Sequence, residues 1–258
     1  MCNNEIIRHE VCRNRRRYTI GLVRGCDNME EFMLSVPELF AQNVGEVIYR
    51  GRNELRAVSY EGKEYVIKSF HHPHFLNAWV YGHLRPSKAE RSLCNALRIA
   101  AIGVGTPRPV GYLEVRRCSL LQDSYYISER SACPYVFSQL FDRKFKCEDE
   151  VLRAIGHVTG VLHNHGYAHK DYGRGNILFG LRPGAGVDIE LVDLNRMHVG
   201  AIDMEQGCRN LERLPLTPHM RSLLAEAYAE ERGLDAKRCS VLMERFRSTQ
   251  PGKIDGKY

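Results

Sequence analysis

The sequence predicts an α+β protein in which a small antiparallel sheet unit is followed by a mainly helical one. Two observations carry this. Between Gly45 and Phe70, "GEVIYRGRNELRAVSYEGKEYVIKSF" holds three short β-branched and aromatic runs separated by "RGRNE" and "EGKE", the pattern of strands joined by tight turns. After Glu129 the spacing of apolar residues changes from two to three and four, so the second half reads as helix. The change places a unit boundary near Ser131 to Pro134.

Within the first half, Lys68 sits in the third run, "YVIKSF", where a lysine at a strand edge usually points to solvent. "SKAERSLCNALRIAA" then places apolar residues at 89, 93, 96, 97 and 100, one face of a helix, with Ser87 as its N-cap and "GVGTPRP" as its end. Glu90 lies one residue from that face. "VGYLEVRRC" and "DSYYISE" supply two more strands, making five strands with one helix inserted after the third. Residues 1–44 are expected to be an N-terminal extension packed on the small unit, residues 45–130 the small unit itself and residues 131–258 the helical one. The run Arg13, Arg15, Arg16, Arg17 reads as a solvated arm within the extension.

In the second half, Val151, Ile155, Val158 and Leu162 mark one helix face, with acidic residues at the N-terminal end, where the helix dipole favours them. That helix delivers the chain into "HGYAHKDYGRGNILF". "NILFG" and "IELVDL" follow as a pair of short strands. Thr217 and Pro218 open a further helix to about Arg232, and Asp235 caps a last one.

Composition excludes several classes. With 43% hydrophobic and 26% charged residues, the 258-residue chain is globular and can bury a core. Its nine cysteines include no CxxC and are expected to be reduced thiols, not a disulfide framework or zinc site. No stretch approaches the roughly 20 apolar residues needed to span a bilayer. The protein is therefore expected to be soluble in the cytoplasm or, at most, peripheral on the cytoplasmic face of a membrane. A net charge of +6 suits an anionic partner.

The residues that suggest chemistry are Asp171 and Asn176, spaced as H-x-D-x-x-x-x-N from His169, and Asp193 at the end of the strand pair. Kinase-like folds present a catalytic base, a metal-binding amide and a metal-binding carboxylate in this order, after a strand lysine and a helical glutamate. Lys68 and Glu90 precede them in that order. Singly, Asn176 reads as an Asx-turn and Asp193 as a turn cap. Their shared order is what these local readings leave unexplained. His169 is expected to shape the loop rather than move a proton.

The chain resembles the lipopolysaccharide kinase family of protein-kinase-like enzymes, which phosphorylate Kdo or heptose in the lipopolysaccharide inner core. The resemblance rests on "YVIKSF", "KAERSLCNALRIAAIGVGTPRPVGY", "LHNHGYAHKDYGRGNILF" and "ELVDLNRMHVG" with "CRNLERL", over roughly Gly45 to Leu214. It implies a two-lobed protein-kinase-like fold, ATP and Mg2+, and an anionic glycolipid or sugar acceptor, with nucleic acid not among the partners. It also implies Asp171 as catalytic aspartate, Asn176 and Asp193 as metal ligands, and Lys68 with Glu90 as the nucleotide-positioning pair. Gly51 and Glu129 are grouped with that pair as nucleotide-contacting positions. The first turn carries only Gly51, not a G-x-G-x-x-G loop, "DLN" stands where protein kinases have DFG, and no A-P-E follows. The readings that compete with a lipopolysaccharide kinase are a protein kinase for Tyr or Ser/Thr, another small-molecule kinase, and a nucleotide-binding pseudokinase serving as an interaction module.

Overall fold

The computed structural model describes residues 5–13, 15–70, 85–118, 120–142, 145, 147–182, 184 and 186–248. Two compact units divide the chain. The first comprises Met1–Arg98 and Pro107–Ser131, the second Ile99–Thr106 and Ala132–Tyr258.

The first unit is a seven-stranded antiparallel sheet with the order β1-β2-β6-β7-β5-β4-β3. Its strands are β1 (Ile6–Arg13), β2 (Arg16–Val23), β3 (Glu46–Arg50), β4 (Asn53–Tyr60), β5 (Lys63–Phe70), β6 (Pro109–Arg117) and β7 (Leu120–Glu129). The five expected strands are present, and residues 6–23 add two more beside β6. Leu22 pairs with Gly111, and Arg17 pairs with Arg116. The basic run is thus no solvated arm but the hairpin end of β1 and β2, where Arg13 reaches Glu31 at 3.4 Å and Arg17 reaches Glu10 at 3.8 Å. Charges on an edge strand discourage further strand addition, and the same charges hide the strand from a composition reading.

Alternation along each strand separates two sheet faces. One face buries Ile20, Leu22, Ile67, Leu113, Val115 and Ile127 beneath Phe32, Met33 and Val36 of α1 (Glu30–Ala41). The other buries Phe70 and Tyr112 against Ala89 and Leu93 of α2 (Lys88–Ala101). Lys68 shares strand parity with Phe70 and so lies on the α2 side. Segment 1–44 is tied in by a polar contact as well. The Arg56 side chain is 1% exposed and donates to Asn43 Oδ1 at 2.7 Å, to the Val44 carbonyl at 3.2 Å and to Glu54 at 2.6 Å. A buried guanidinium with every direction answered by an acceptor avoids the cost of an unpaired charge.

The second unit is mainly helical. It contains α3 (Gln139–Asp142), α4 (Glu148–Asn164), α5 (Met204–Asn210), α6 (Pro218–Arg232) and α7 (Ala236–Ser248). A three-stranded sheet in the order β11-β10-β8 and a two-stranded one of β12 and β9 accompany them. Those strands are β8 (Tyr135–Val136), β9 (Tyr167–His169), β10 (Ile177–Arg182), β11 (Gly186–Leu191) and β12 (Met197–Val199). Helix α4 packs directly on α6 because Gly156 leaves the helices nothing to hold them apart. A Cβ there would stand 2.5 Å from the Leu224 carbonyl oxygen. Thr217 Oγ1 accepts the Met220 amide at the start of α6, as Thr217 and Pro218 foretell, and Gly233 at φ 63° ends it. No helix among the described residues is long and apolar enough to cross a membrane.

Burial of Met33 in the sheet core means that residues 1–44 stabilise the first unit. Met33→Ala is expected to cost about 2–5 kcal/mol, read from the midpoint of urea unfolding. An unchanged midpoint would show that α1 is dispensable.

Candidate active site

Three of the predicted residues lie in the second unit, and short ladders bring them together. β10 and β11 pair Ile177 with Leu191, which sets Asn176 beside Val192 at the open end of the hairpin. The Val192 amide donates to the Asn176 carbonyl at 3.1 Å, so Asp193 emerges next to Asn176. β9 and β12 pair His169 with Met197, and the Lys170 amide donates to the Arg196 carbonyl at 2.9 Å. The loop carrying Asp171 is thereby held against the segment carrying Asp193.

His169 joins the two. It is fully buried, its Nε2 donates to the Val192 carbonyl at 2.9 Å, and its Nδ1 accepts the Asp171 amide at 3.1 Å. Both ring nitrogens are committed, one as donor and one as acceptor, which requires the neutral imidazole. Burial also holds its pKa below the ordinary histidine value. The loop is pinned again by Tyr172, whose hydroxyl meets Thr159 Oγ1 of α4 at 2.8 Å and whose pKa is pushed up to about 12 by burial. With His169 and Tyr172 turned inward, Asp171 between them keeps its side chain 25% exposed.

The Asn176 side-chain nitrogen donates to the Asp171 carbonyl at 2.8 Å, which turns its amide oxygen away as a hard oxygen donor. Asp193 takes the left-handed backbone conformation at φ 60°, which aspartate tolerates better than most residues, and accepts a hydrogen bond from Asn195. No cluster of three or more His, Cys, Asp or Glu side chains suited to a metal occurs among the described residues. A metal here would rest on one carboxylate and one amide oxygen. That donor set fits magnesium, which takes few protein ligands and completes its shell with water and phosphate oxygens.

Sequence reasoning missed two neighbours of Asp171. Arg213 Nη1 donates to Oδ1 at 3.1 Å, and Arg196 Nη1 approaches Oδ2 at 3.3 Å. Arg213 follows α5, a helix also missed, although Asp203 and Gln206 form a capping box that marks its start.

The remaining four predicted residues lie in the first unit. Lys68 is 8% exposed, with Nζ 5.3 Å from the Phe70 ring centroid. Glu90, at the first turn of α2, accepts from Arg8 of β1 at 3.1 Å. Burial, with Glu114 adding to it, raises the Glu90 pKa against the pull of Arg8. Arg8 also donates to the Tyr112 hydroxyl at 3.2 Å, a contact hidden from the sequence because β1 was unrecognised. Gly51 lies in the β3–β4 turn beneath Tyr49, whose hydroxyl oxygen would be 2.4 Å from an added Cβ. Glu129 ends β7 with its carboxylate 3.2 Å from Arg108 and 3.8 Å from Lys63.

No protein-family model matches the chain, and comparison with curated proteins finds no match. Among solved structures it is similar to WaaP as solved in complex with acyl carrier protein. The TM-score is 0.59 at 18% identity, over 86% of this chain and 96% of that one. The likeness is one of fold. The chain has an α+β, protein-kinase-like fold.

A relay of hydrogen bonds supports the loop from behind. Arg232 donates to the Tyr228 hydroxyl at 2.5 Å, which meets His163 Nδ1 at 3.0 Å. His163 Nε2 meets Asn210 Oδ1 at 3.1 Å, and Asn210 Nδ2 donates to the His169 carbonyl at 2.8 Å. With His163 neutral, Tyr228 can donate its own proton to Nδ1, and burial lowers the His163 pKa from 6.5 to about 4. The unfolded chain takes up a proton below pH 6.5 and the folded chain does not. Stability is therefore complete above pH 6.5 and falls as the pH drops towards 4, by up to about 1.4 kcal/mol per pH unit for this histidine. Thermal melts between pH 7 and 4.5 should show the decline, and His163→Gln should flatten it. Equal slopes for both proteins would remove His163 from the account.

Proposed function

We propose that the protein is an ATP- and Mg2+-dependent phosphotransferase that phosphorylates a sugar hydroxyl, Kdo or heptose, of the lipopolysaccharide inner core. One observation carries the reading. Asp171 keeps a solvent-reachable carboxylate on a loop otherwise locked by buried partners, beside an amide oxygen and a second carboxylate suited to magnesium. The kinase-like fold gives that arrangement its context.

In this reading the acceptor oxygen forms a new bond to the γ-phosphorus of ATP while the bond from that phosphorus to ADP breaks. The hydroxyl proton passes to the Asp171 carboxylate. Asn176 and Asp193 would hold magnesium, which would neutralise charge on the phosphate oxygens. Lys68 contacts the α- and β-phosphates, Glu90 orients it, and Gly51 and Glu129 border the nucleotide. Residues 194–203 alone separate Asp193 from α5, little room for the segment on which protein kinases dock a peptide, and this favours a small acceptor over a protein. The site works where ATP is found, on the cytoplasmic side of the inner membrane. The likeness to WaaP also makes acyl carrier protein a candidate partner, to be tested by co-elution of the two purified proteins from a sizing column. Separate elution at micromolar concentration would dismiss it.

The decisive assay is transfer of labelled γ-phosphate to purified core lipopolysaccharide by wild type and Asp171→Asn, with and without Mg2+. The variant should lose about 10²- to 10⁴-fold in kcat with a similar KM for ATP. Transfer to protein but not to core sugar would replace this reading with a protein kinase. ATP binding without transfer to either would leave an interaction module.

A further inference from the structure

The two arginines on Asp171 are not explained by the catalytic role of that residue. Arg196 is placed by the β9–β12 pairing, and Arg213 by the turn after α5, whose Leu211 and Leu214 are buried on either side of it. Two separate segments thus deliver guanidinium groups to one carboxylate. Oδ1 lies 3.1 Å from Arg213 and 3.4 Å from Arg196, and Oδ2 lies 3.3 Å from Arg196. Stability is a poor reason for this, since the arginine side chains are 53% and 60% exposed and pairs of that kind contribute about 0–1 kcal/mol. Two positive charges against one negative charge leave an excess of one at the atom where the acceptor hydroxyl must arrive.

Each guanidinium has five N–H donors in a planar fork, and Asp171 is the only protein partner of either among the described residues, through Nη1 in both cases. The remaining donors suit a second oxyanion, carboxylate or phosphate, in the bidentate manner arginine favours. We propose that Arg196 and Arg213 bind an oxyanion carried by the acceptor itself, next to the hydroxyl that is phosphorylated. An anion on these donors is joined to a hydroxyl on Asp171 by three hydrogen bonds, anion to arginine, arginine to Asp171 and Asp171 to hydroxyl, a path of about 9 Å plus the width of the guanidinium and shorter where it folds back. The acceptor class is therefore a sugar that carries a carboxylate or phosphate on the same sugar unit as the reacting hydroxyl or on its neighbour. A neutral sugar lacks the group that these arginines hold.

This inference rests on the phosphotransferase reading and is tested with acceptors that isolate the anion. Three preparations of deacylated core oligosaccharide serve: untreated, with carboxylates reduced to alcohols, and with phosphates removed by hydrogen fluoride. Wild type should use the untreated core and lose at least tenfold in kcat/KM on one of the other two, and which one identifies the oxyanion. Arg213→Gln and Arg196→Gln should each raise the acceptor KM by about 10- to 100-fold, the effect of a charge-assisted hydrogen bond, while KM for ATP stays within twofold. Lysine at either position should recover only part of the loss, because it restores charge without the fork. On a core lacking the relevant anion, the ratio of variant to wild-type acceptor KM should shrink from that seen on the untreated core. Equal use of all three cores by wild type, or an unchanged acceptor KM in both variants, would overturn the inference and leave the phosphotransferase reading standing. A rise in kcat at constant acceptor KM would likewise overturn it, by making the arginines a restraint on Asp171. No transfer from ATP to any core would remove the phosphotransferase reading and this inference together.

Discussion

The second unit depends on keeping His169 neutral and buried. Its two ring nitrogens hold opposite roles, donor to the Val192 carbonyl and acceptor from the Asp171 amide, so one planar ring sets the distance between the loop of Asp171 and the segment of Asp193. A protonated ring would have two donors and would lose the Asp171 amide. An apolar residue of similar size would leave a buried amide and a buried carbonyl unanswered, at about 1–3 kcal/mol each. The backbone around the candidate catalytic residue is therefore held by a side chain whose two ring nitrogens are both taken up by backbone groups.

The same logic runs further back. His163 is held neutral by burial, and in that form the relay runs in one direction, from Arg232 to the Tyr228 hydroxyl and from that hydroxyl to Nδ1. The relay crosses α6, α4 and α5 and ends on the backbone of the loop that carries Asp171. The helices that carry it are brought close at Gly156, where the absence of a side chain lets α4 touch the α6 backbone. Packing and polar satisfaction thus support each other: the close crossing puts His163 within reach of Tyr228, and the hydrogen bonds give the crossing one register. Buried polar networks of this kind specify a geometry more than they add stability.

How much of this could be read from the sequence differs by element. Long strands and helices with regular alternation were legible, including β4 to β7, α2, α4 and α6, and so was the loop in which Asn176 meets Asp171. Strands of two or three residues, such as β8, β9 and β12, are too short to show a period, yet β9 and β12 align the site. β1 and β2 were hidden because arginines and glutamates on an edge strand look like a solvated tail. With β1 hidden, the contact of Arg8 with Glu90 was hidden too, since 82 residues separate the two and only the sheet brings them together. Asp203 and Gln206 did mark the start of α5, so that omission had a local remedy.

Arg196 and Arg213 show why a motif stops short of a site. Neither belongs to the H-x-D-x-x-x-x-N pattern, and Arg213 lies 42 residues from Asp171 in a turn with no period of its own. Nothing local distinguishes it from the many surface arginines of a chain with 37 basic residues. What singles it out is convergence: a turn fixed by buried leucines and a ladder fixed by backbone hydrogen bonds each deliver a guanidinium to one carboxylate. In the proposed function the motif supplies the groups that act on ATP, whose spacing common chemistry would constrain. Groups that select an acceptor answer to that acceptor alone, and their positions follow from tertiary contacts that a linear pattern does not contain.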